Sequence, residues 1–275
     1  MLDLHSHILP WLDDGSKNMA ETLGMVRQLH AAGFKTLIAT PHVLEGRDFL
    51  SPAEILFTIE KVRKCLAEAE IPVEILPGAE VYIFPDMVKW VRERKLLTLG
   101  DKGKYILLEL PLLEIPDFTE QVFFELQVLG ITPVLAHPER YRSLYDQPER
   151  VLDWARKGII LQLDLRSIRG YYGPQARQLA EIMLKSDLSH VLGSDSHRVA
   201  DSELSYLEGL QSIKEIVGKT RYHELTSLNP QTLLEGNPLP GERNYSLRGL
   251  SAKKKKQRFW NLFVNYFSKS ELNDI

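Results

Sequence analysis

The chain has a single cysteine, Cys65, so it can build neither an internal disulfide framework nor a multi-cysteine zinc site. It has little net charge: 34 Lys and Arg stand against 37 Asp and Glu, a formal −3. That balance argues against a surface that coats nucleic acid. No stretch approaches the roughly 18 to 20 unbroken apolar residues of a membrane-spanning helix. The first residues also lack the basic region and apolar run of a secretory signal, so a cytoplasmic location is expected. Hydrophobic content of 44% and charged content of 26% are ordinary for a globular body.

What is present is an alternation. Apolar runs, several rich in β-branched residues, fall at 2–4, 36–39, 73–76, 105–108, 132–136, 159–163 and 190–192 and read as strands. Segments of helical period or length lie between them, at 18–32, 52–70, 119–129, 148–157, 174–185 and 203–217. In the first of these, Met19, Leu23, Val26 and Leu29 recur three or four apart, one face of a helix. Asn18 with Glu21 resembles a capping box and Gly33 a stop, while Ser51-Pro52 is a second start signal. About seven strand–helix units imply a parallel sheet, because parallel neighbours need crossovers. Closed on itself, that sheet is an α/β barrel of seven units with its function at the strands' C-terminal ends. An open doubly wound sheet is the alternative. No long linker occurs before about Asn237, so residues 1–240 read as one barrel domain and 241–275 as a tail.

The strand ends carry the chemistry. Strand one ends in His5-Ser6-His7, and residues two apart in an extended chain point the same way, so both imidazoles can grip one ion. Strand two runs into Pro41-His42, strand three into Gly78-Ala79-Glu80 and strand four into Glu109. Strand five runs into His137, and strand seven into Asp195-Ser196-His197; Asp13 and Asp14 follow strand one. Strand six lacks an obvious donor, since Asp164 reads as the cap of the next turn. Any one of these residues has a bland explanation as a bonded core histidine, a solvated loop carboxylate or an N-cap. Six of seven strand ends carrying such groups is hard to explain by packing, because buried charges need partners or metals.

The donors are all imidazole or carboxylate, which suits manganese, iron or zinc without choosing among them. About nine of them exceed the needs of one tetrahedral ion, so a cluster of two or three ions is expected. Close cations acidify water and neutralise a phosphoryl group, which makes phosphate-ester hydrolysis the matching reaction class. Arg140, in His137-Pro138-Glu139-Arg140, stands beside a donor and suits bidentate contact to phosphate oxygens. His30, His190 and His223 read as packing or surface histidines.

These segments resemble the PHP (polymerase and histidinol phosphatase) superfamily, and more closely its bacterial manganese-dependent protein-tyrosine phosphatases of capsule and exopolysaccharide assembly. The residues that carry the resemblance are Asp3-Leu4-His5-Ser6-His7-Ile8-Leu9-Pro10, Asp13-Asp14-Gly15, Ala39-Thr40-Pro41-His42, Pro77-Gly78-Ala79-Glu80, His137-Pro138-Glu139-Arg140 and Ser194-Asp195-Ser196-His197. It spans about residues 1 to 235 and implies a distorted (β/α)7 barrel with three metal ions. On that model His5, His7, Glu80 and Asp195 hold the first ion. Glu80 bridges to the second with Glu109 and His137. His42, His197 and an acid of the Asp13-Asp14 pair, taken as Asp14, hold the third. Arg140 grips phosphate, and Arg198 is the candidate for a second arginine that relatives carry after the final Asp-x-His.

The function so implied is removal of phosphate from phosphotyrosine in a protein, with a bacterial tyrosine kinase as the expected partner. The alternatives are a small-molecule phosphatase, such as one acting on histidinol phosphate, and a non-catalytic metal-binding scaffold. A resemblance to cysteine-dependent phosphatases would need Cys-x5-Arg, and the arginine position after Cys65 is Ile71. In the tail, Lys253-Lys254-Lys255-Lys256-Gln257-Arg258 precedes an aromatic-rich stretch over 259–267. That pairing resembles a membrane-surface anchor and suggests contact with the inner membrane face.

Overall fold

The computed structural model describes residues 1–46, 49–199, 203–240 and Tyr245. Nine strands are formed among them. They are β1 (Leu2–Ser6), β2 (Thr36–Ala39), β3 (His42–Val43), β4 (Glu74–Pro77), β5 (Glu80–Tyr82), β6 (Tyr105–Glu109), β7 (Thr132–Leu135), β8 (Ile160–Asp164) and β9 (Val191–Gly193). All pairings are parallel, in the orders β1-β2-β4 and β3-β5-β6-β7-β8-β9. The second and third predicted strands form as β2 and β4, and each is followed, after a break at Thr40-Pro41 or Gly78-Ala79, by a short further strand, β3 or β5. Proline has no N–H for the ladder, and the Gly78 position has no room for a side chain: a Cβ there would lie 2.7 Å from Ile38 Cγ2. The last strand returns to the first. The Asp195 N–H donates to the His5 carbonyl and the His7 N–H to the Ser196 carbonyl, each at 2.9 Å. The seven expected strands thereby close into a distorted barrel.

The helices are α1 (Met19–Ala31), α2 (Pro52–Glu68), α3 (Met87–Arg92), α4 (Thr119–Val128), α5 (Pro148–Arg156), α6 (Pro174–Lys185), α7 (Glu203–His223) and α8 (Asn229–Leu234). Asn18 caps α1 through its side chain, but the Glu21 carboxylate accepts from Lys17 N–H rather than from the cap residue. Ser51 and Glu54 complete a reciprocal capping box on α2. The six helices expected from periodicity form; α3 and α8, six residues each, are too short to show a period. The regular turns of α7 end at Val217 as expected, because Gly218, at φ 78°, kinks the chain there, and helical geometry resumes beyond it to His223.

Two apolar clusters sort by strand parity. Leu4, Ile38, Leu107, Val134, Ala136, Ile160 and Val191 pack together with Leu99 and Leu233 inside the barrel. Leu37, Ile75, Ile106, Leu108, Leu135, Leu161 and Leu192 face the helices, against Val26, Val62, Leu126, Val151 and Met183. Continuing the inward parity up each strand leads from Ile38 to His42, from Leu107 to Glu109, from Ile160 to Gln162 and from Val191 to Asp195. The barrel floor is hydrocarbon and its C-terminal mouth is lined with donors. In β1 the register to β2 shifts between Asp3 and Ser6, and this bulge turns His5 and His7 onto the inner face although Leu2 and Leu4 precede them there.

Candidate metal centre

The nine residues expected as metal donors lie together at the mouth. His5 Nε2 and His7 Nε2 are 3.0 Å apart. Each lies 3.1–3.2 Å from Glu80 Oε2 and 3.3 Å from Asp195 Oδ1. These four side chains are almost fully buried. On one flank, His137 Nε2 is 3.2 Å from Glu80 Oε1 and 3.7 Å from Glu109 Oε1. On the other, His42 Nε2 and His197 Nε2 converge on Asp14 Oδ1 at 3.6 and 3.4 Å, and the His197 ring stacks on His7 with centroids 4.0 Å apart. His42 also turns Nδ1 toward Glu80 Oε2 at 3.1 Å and Glu109 Oε2 at 3.7 Å, so it stands between two of the three groups.

Neighbouring side chains hold these rings. Asp13 Oδ2 accepts from His7 Nδ1 at 2.7 Å and from the His42 N–H at 3.0 Å, and Asp13 Oδ1 accepts from the Gly15 N–H. The Asp-Asp pair is therefore split: Asp14 joins His42 and His197, and Asp13 orients His7. Gly15 permits this, because a Cβ there would overlap the His7 carbonyl. His5 Nδ1 meets Gln162 Oε1 at 2.9 Å, which assigns the Nδ1–H tautomer and leaves Nε2 with its lone pair. Gly193 makes the room, since a Cβ at that position would lie 2.5 Å from Gln162 Nε2 and 2.8 Å from His5 Cβ. His137 and Asp195 both adopt positive φ, 30° and 46°, a strained geometry for non-glycine residues that recurs at functional sites.

The electrostatics are those of a cluster short of positive charge. Burial opposes a charged His5, yet Glu80 and Asp195 outweigh it and raise its pKa to about 9. His7 is raised well above its usual value against the same penalty, by Asp13, Asp195 and Glu80. Glu109 is pushed up to about 7 by burial and by the Glu80 charge, and burial lowers His137 to about 4, with Arg140 adding to it. Glu80 Oε2 is buried and makes no hydrogen bond although three imidazole nitrogens surround it. Nitrogens and a carboxylate oxygen packed this closely call for positive charge between them, which a divalent cation supplies. The residues thus fit divalent metal ions, with three overlapping donor groups: His5–His7–Glu80–Asp195, His7–Asp14–His42–His197 and His42–Glu80–Glu109.

Arg140 reaches the same cage, Nη1 donating to Asp195 Oδ2 at 2.5 Å. Arg198 instead donates to the backbone carbonyls of Gly15 and His197, joining the first and last mouth loops.

The model of the capsular polysaccharide synthesis family CpsB/CapC matches residues 1–235. The chain belongs to this family. As a CpsB/CapC member it is 34% identical over 248 residues to tyrosine-protein phosphatase YwqE of Bacillus subtilis (strain 168), a match covering 88% of this chain and 97% of YwqE. It is 29% identical over 243 residues to tyrosine-protein phosphatase CpsB of Streptococcus agalactiae serotype III (strain NEM316), covering 86% and 99% of the two chains. Its fold matches the crystal structures of YwqE from Bacillus subtilis and CpsB from Streptococcus pneumoniae, named as unique metal-dependent tyrosine phosphatases. There the TM-score is 0.82 at 32% identity, over 88% of this chain and 100% of the other. A histidinol phosphate phosphatase from Lactococcus lactis shares the fold at 17% identity and a TM-score of 0.51, over 78% and 93% of the chains.

Asp13, one of the two acids expected for the third ion, orients His7 instead, while Gln162, Asp164, Arg166 and Tyr172 join the site of this CpsB/CapC chain without having been expected there. Asp164 does cap the next turn, accepting from the Arg166 N–H at 2.7 Å, but its other oxygen accepts from Tyr172 Oη at 2.6 Å. Gln162 had a signal: it is a polar residue inside an apolar run, on the inward parity of the sixth strand. Arg166 and Tyr172 had none. His30 bonds the Phe34 carbonyl, buried His190 meets the Leu161 N–H, and His223 is exposed, all away from the metal groups.

Proposed function

We propose that the chain is a metal-dependent protein-tyrosine phosphatase that hydrolyses phosphotyrosine in a protein, and that its nine donors hold three ions. The observation that carries this reading is Glu80, whose carboxylate lies within 3.1–3.2 Å of four imidazoles beside the Arg140 guanidinium. Bound divalent cations would supply charge neutralisation at the phosphate and acidify water. The protein's own groups do the rest. His5, His7, Glu80 and Asp195 hold the first ion, Glu80, Glu109 and His137 the second, and His42, His197 and Asp14 the third. Asp13 and Gln162 orient His7 and His5. Arg140 grips the phosphate, and Arg198 ties the two mouth loops beside it. Manganese is the proposed metal, with iron or zinc as the other metals that this donor set accepts.

The rim of the mouth suits an aryl ester on a polypeptide. Trp11, Leu113 and Tyr171 lie in loops after β1, β6 and β8, and each is at least 60% exposed. Apolar side chains so placed favour an extended organic surface over a small hydrophilic ester. The proposed protein substrate is a bacterial tyrosine kinase of capsule or exopolysaccharide assembly. The proposed location is cytoplasmic, with residues 253–267 contacting anionic lipid at the inner membrane face; that stretch lies outside the described residues. Among the described residues no helix is long and apolar enough to cross a membrane.

The deciding experiment compares phosphotyrosine peptides, phosphoserine peptides and histidinol phosphate after chelation and after Mn2+ return. Selective, metal-restored turnover of phosphotyrosine is expected; full activity under chelation would end the metal reading. Flotation with anionic liposomes, with and without residues beyond Leu250, tests the tail, and unchanged binding on truncation would remove it.

A further inference from the structure

We infer that Tyr172 is the seat of the phosphate-gripping guanidinium: the loop after β8, the one strand end without a metal donor, positions Arg140. This rests on the reading of Arg140 as a phosphate ligand. The Arg140 guanidinium lies 4.2 Å over the centroid of the Tyr172 ring while its Nη1 donates to Asp195 Oδ2 at 2.5 Å. An arginine side chain has four torsions to fix, and here a flat ring beneath and a carboxylate at one edge fix the plane and the heading of its head group. Among the described residues the polar contacts of Arg140 run through Nη1, to Asp195 and, at 3.9 Å, to Asp164. Nε and Nη2 are left for an incoming anion.

The seat is itself anchored. Tyr172 Oη donates to Asp164 Oδ2 at 2.6 Å and accepts from Arg166 Nη2 at 2.5 Å. Buried Arg166 also donates to the Asp195 carbonyl at 2.8 Å, so platform and clamp are keyed to the same residue. The backbone next to Arg140 is tied to the same loop, because Glu139 Oε1 accepts from the Asp164 N–H at 2.9 Å and from Ser167 Oγ at 2.6 Å. Asp195 divides its carboxylate accordingly, Oδ1 toward His5 and His7 and Oδ2 toward Arg140. Without the ring, the guanidinium is free to rotate onto Asp195 with both nitrogens, since a bidentate pair is its preferred geometry. Tyr172 is thus a positioning residue: it keeps part of the Arg140 fork open for phosphate and removes the ordering cost from the binding step.

The test uses the full chain with Mn2+ and reads three quantities: the inhibition constant of inorganic phosphate, KM and kcat for p-nitrophenyl phosphate, and bound metal per chain. Tyr172→Met, which fills the space without a π face, is expected to raise the phosphate inhibition constant and KM about tenfold, with metal content as in the unaltered protein. Tyr172→Phe keeps the ring and is expected to stay within about threefold. Tyr172→Leu serves if the methionine variant does not fold. Arg140→Ala is expected to raise the inhibition constant further, and adding Tyr172→Met to it to change nothing more. If Arg140→Ala weakens phosphate binding but Tyr172→Met and Tyr172→Leu do not, the seat is refuted and the role of Arg140 stands. Additive losses in the double variant refute the seat equally, because Tyr172 would then act without Arg140. If Arg140→Ala leaves phosphate inhibition unchanged, the reading of Arg140 falls and the seat with it.

Discussion

Asp13 Oδ2 and His7 Nδ1 are 2.7 Å apart, and the same carboxylate caps the turn at Gly15 and receives the His42 N–H. One side chain therefore sets the heading of an imidazole in the first donor group and the path of the chain into another. A carboxylate behind a metal-facing histidine fixes its tautomer and raises its basicity.

Asp13→Ala is accordingly expected to weaken metal retention about 10- to 100-fold while leaving the barrel folded. Competition against a graded chelator, read by elemental analysis, measures it. Metal retention equal to the unaltered protein would show that Asp13 does not orient His7.

His137 lies 3.2 Å from Glu80 and 3.7 Å from Glu109, with its Nδ1 buried and without a hydrogen-bond partner. His137→Ala is expected to lose one ion per chain and to lower kcat by more than about 100-fold. Metal stoichiometry and p-nitrophenyl phosphate turnover decide it together, and a fully active, fully loaded variant would remove His137 from the donor set.

Trp11 holds a positive φ of 66° in the loop between His7 and Asp13, its N–H donating to the Ser16 carbonyl at 3.0 Å. An exposed indole on a tightly bonded mouth loop suits contact with the organic part of a substrate. Trp11→Ala is expected to raise KM for phosphotyrosine peptides about 3- to 10-fold, with kcat and metal content held. An unchanged KM on every peptide tried would leave the indole without a part in recognition.

Glu139 is fully buried, and burial raises its carboxyl pKa to about 8; Ser167 opposes the rise and the nearby Asp164 adds to it. Its folded value lies above that of the unfolded chain, so the protonated form is the one the fold favours. The associated stability is complete below the ordinary carboxyl range and is lost as pH rises toward 8. Glu139→Gln keeps an oxygen for Asp164 and Ser167 and carries no charge to bury. After chelation, the variant should match the unaltered protein near pH 4.5 and exceed it by at least about 1 kcal/mol at pH 8. Urea melts across that range measure the difference. An advantage for the variant that shrinks with rising pH would contradict the assignment.

The amino-acid order alone determined much of this molecule. Strand and helix periodicity predicted about seven parallel units, closed as a barrel or open as a doubly wound sheet, because the apolar pattern that makes each strand also determines which of its side chains face inward; the family resemblance pointed to the barrel. The donors His5, His7, His42, Glu80, Glu109, His137, Asp195 and His197 were legible because each stands at the C-terminal end of an apolar run, where parallel topology delivers side chains to one mouth. The tertiary structure decided what lies between them. Asp13 and Asp14 are neighbours of the same chemical type, and only the turn closed by Gly15 sends one behind His7 and the other toward His42 and His197. Asp164, Arg166 and Tyr172 looked like an ordinary turn, since their importance lies in contacts with Arg140 and Asp195 some 25 or more positions away. Local pattern reports which way a side chain points along its own strand; which carboxylate or ring it meets there depends on chain closure, and that is a property of the folded barrel.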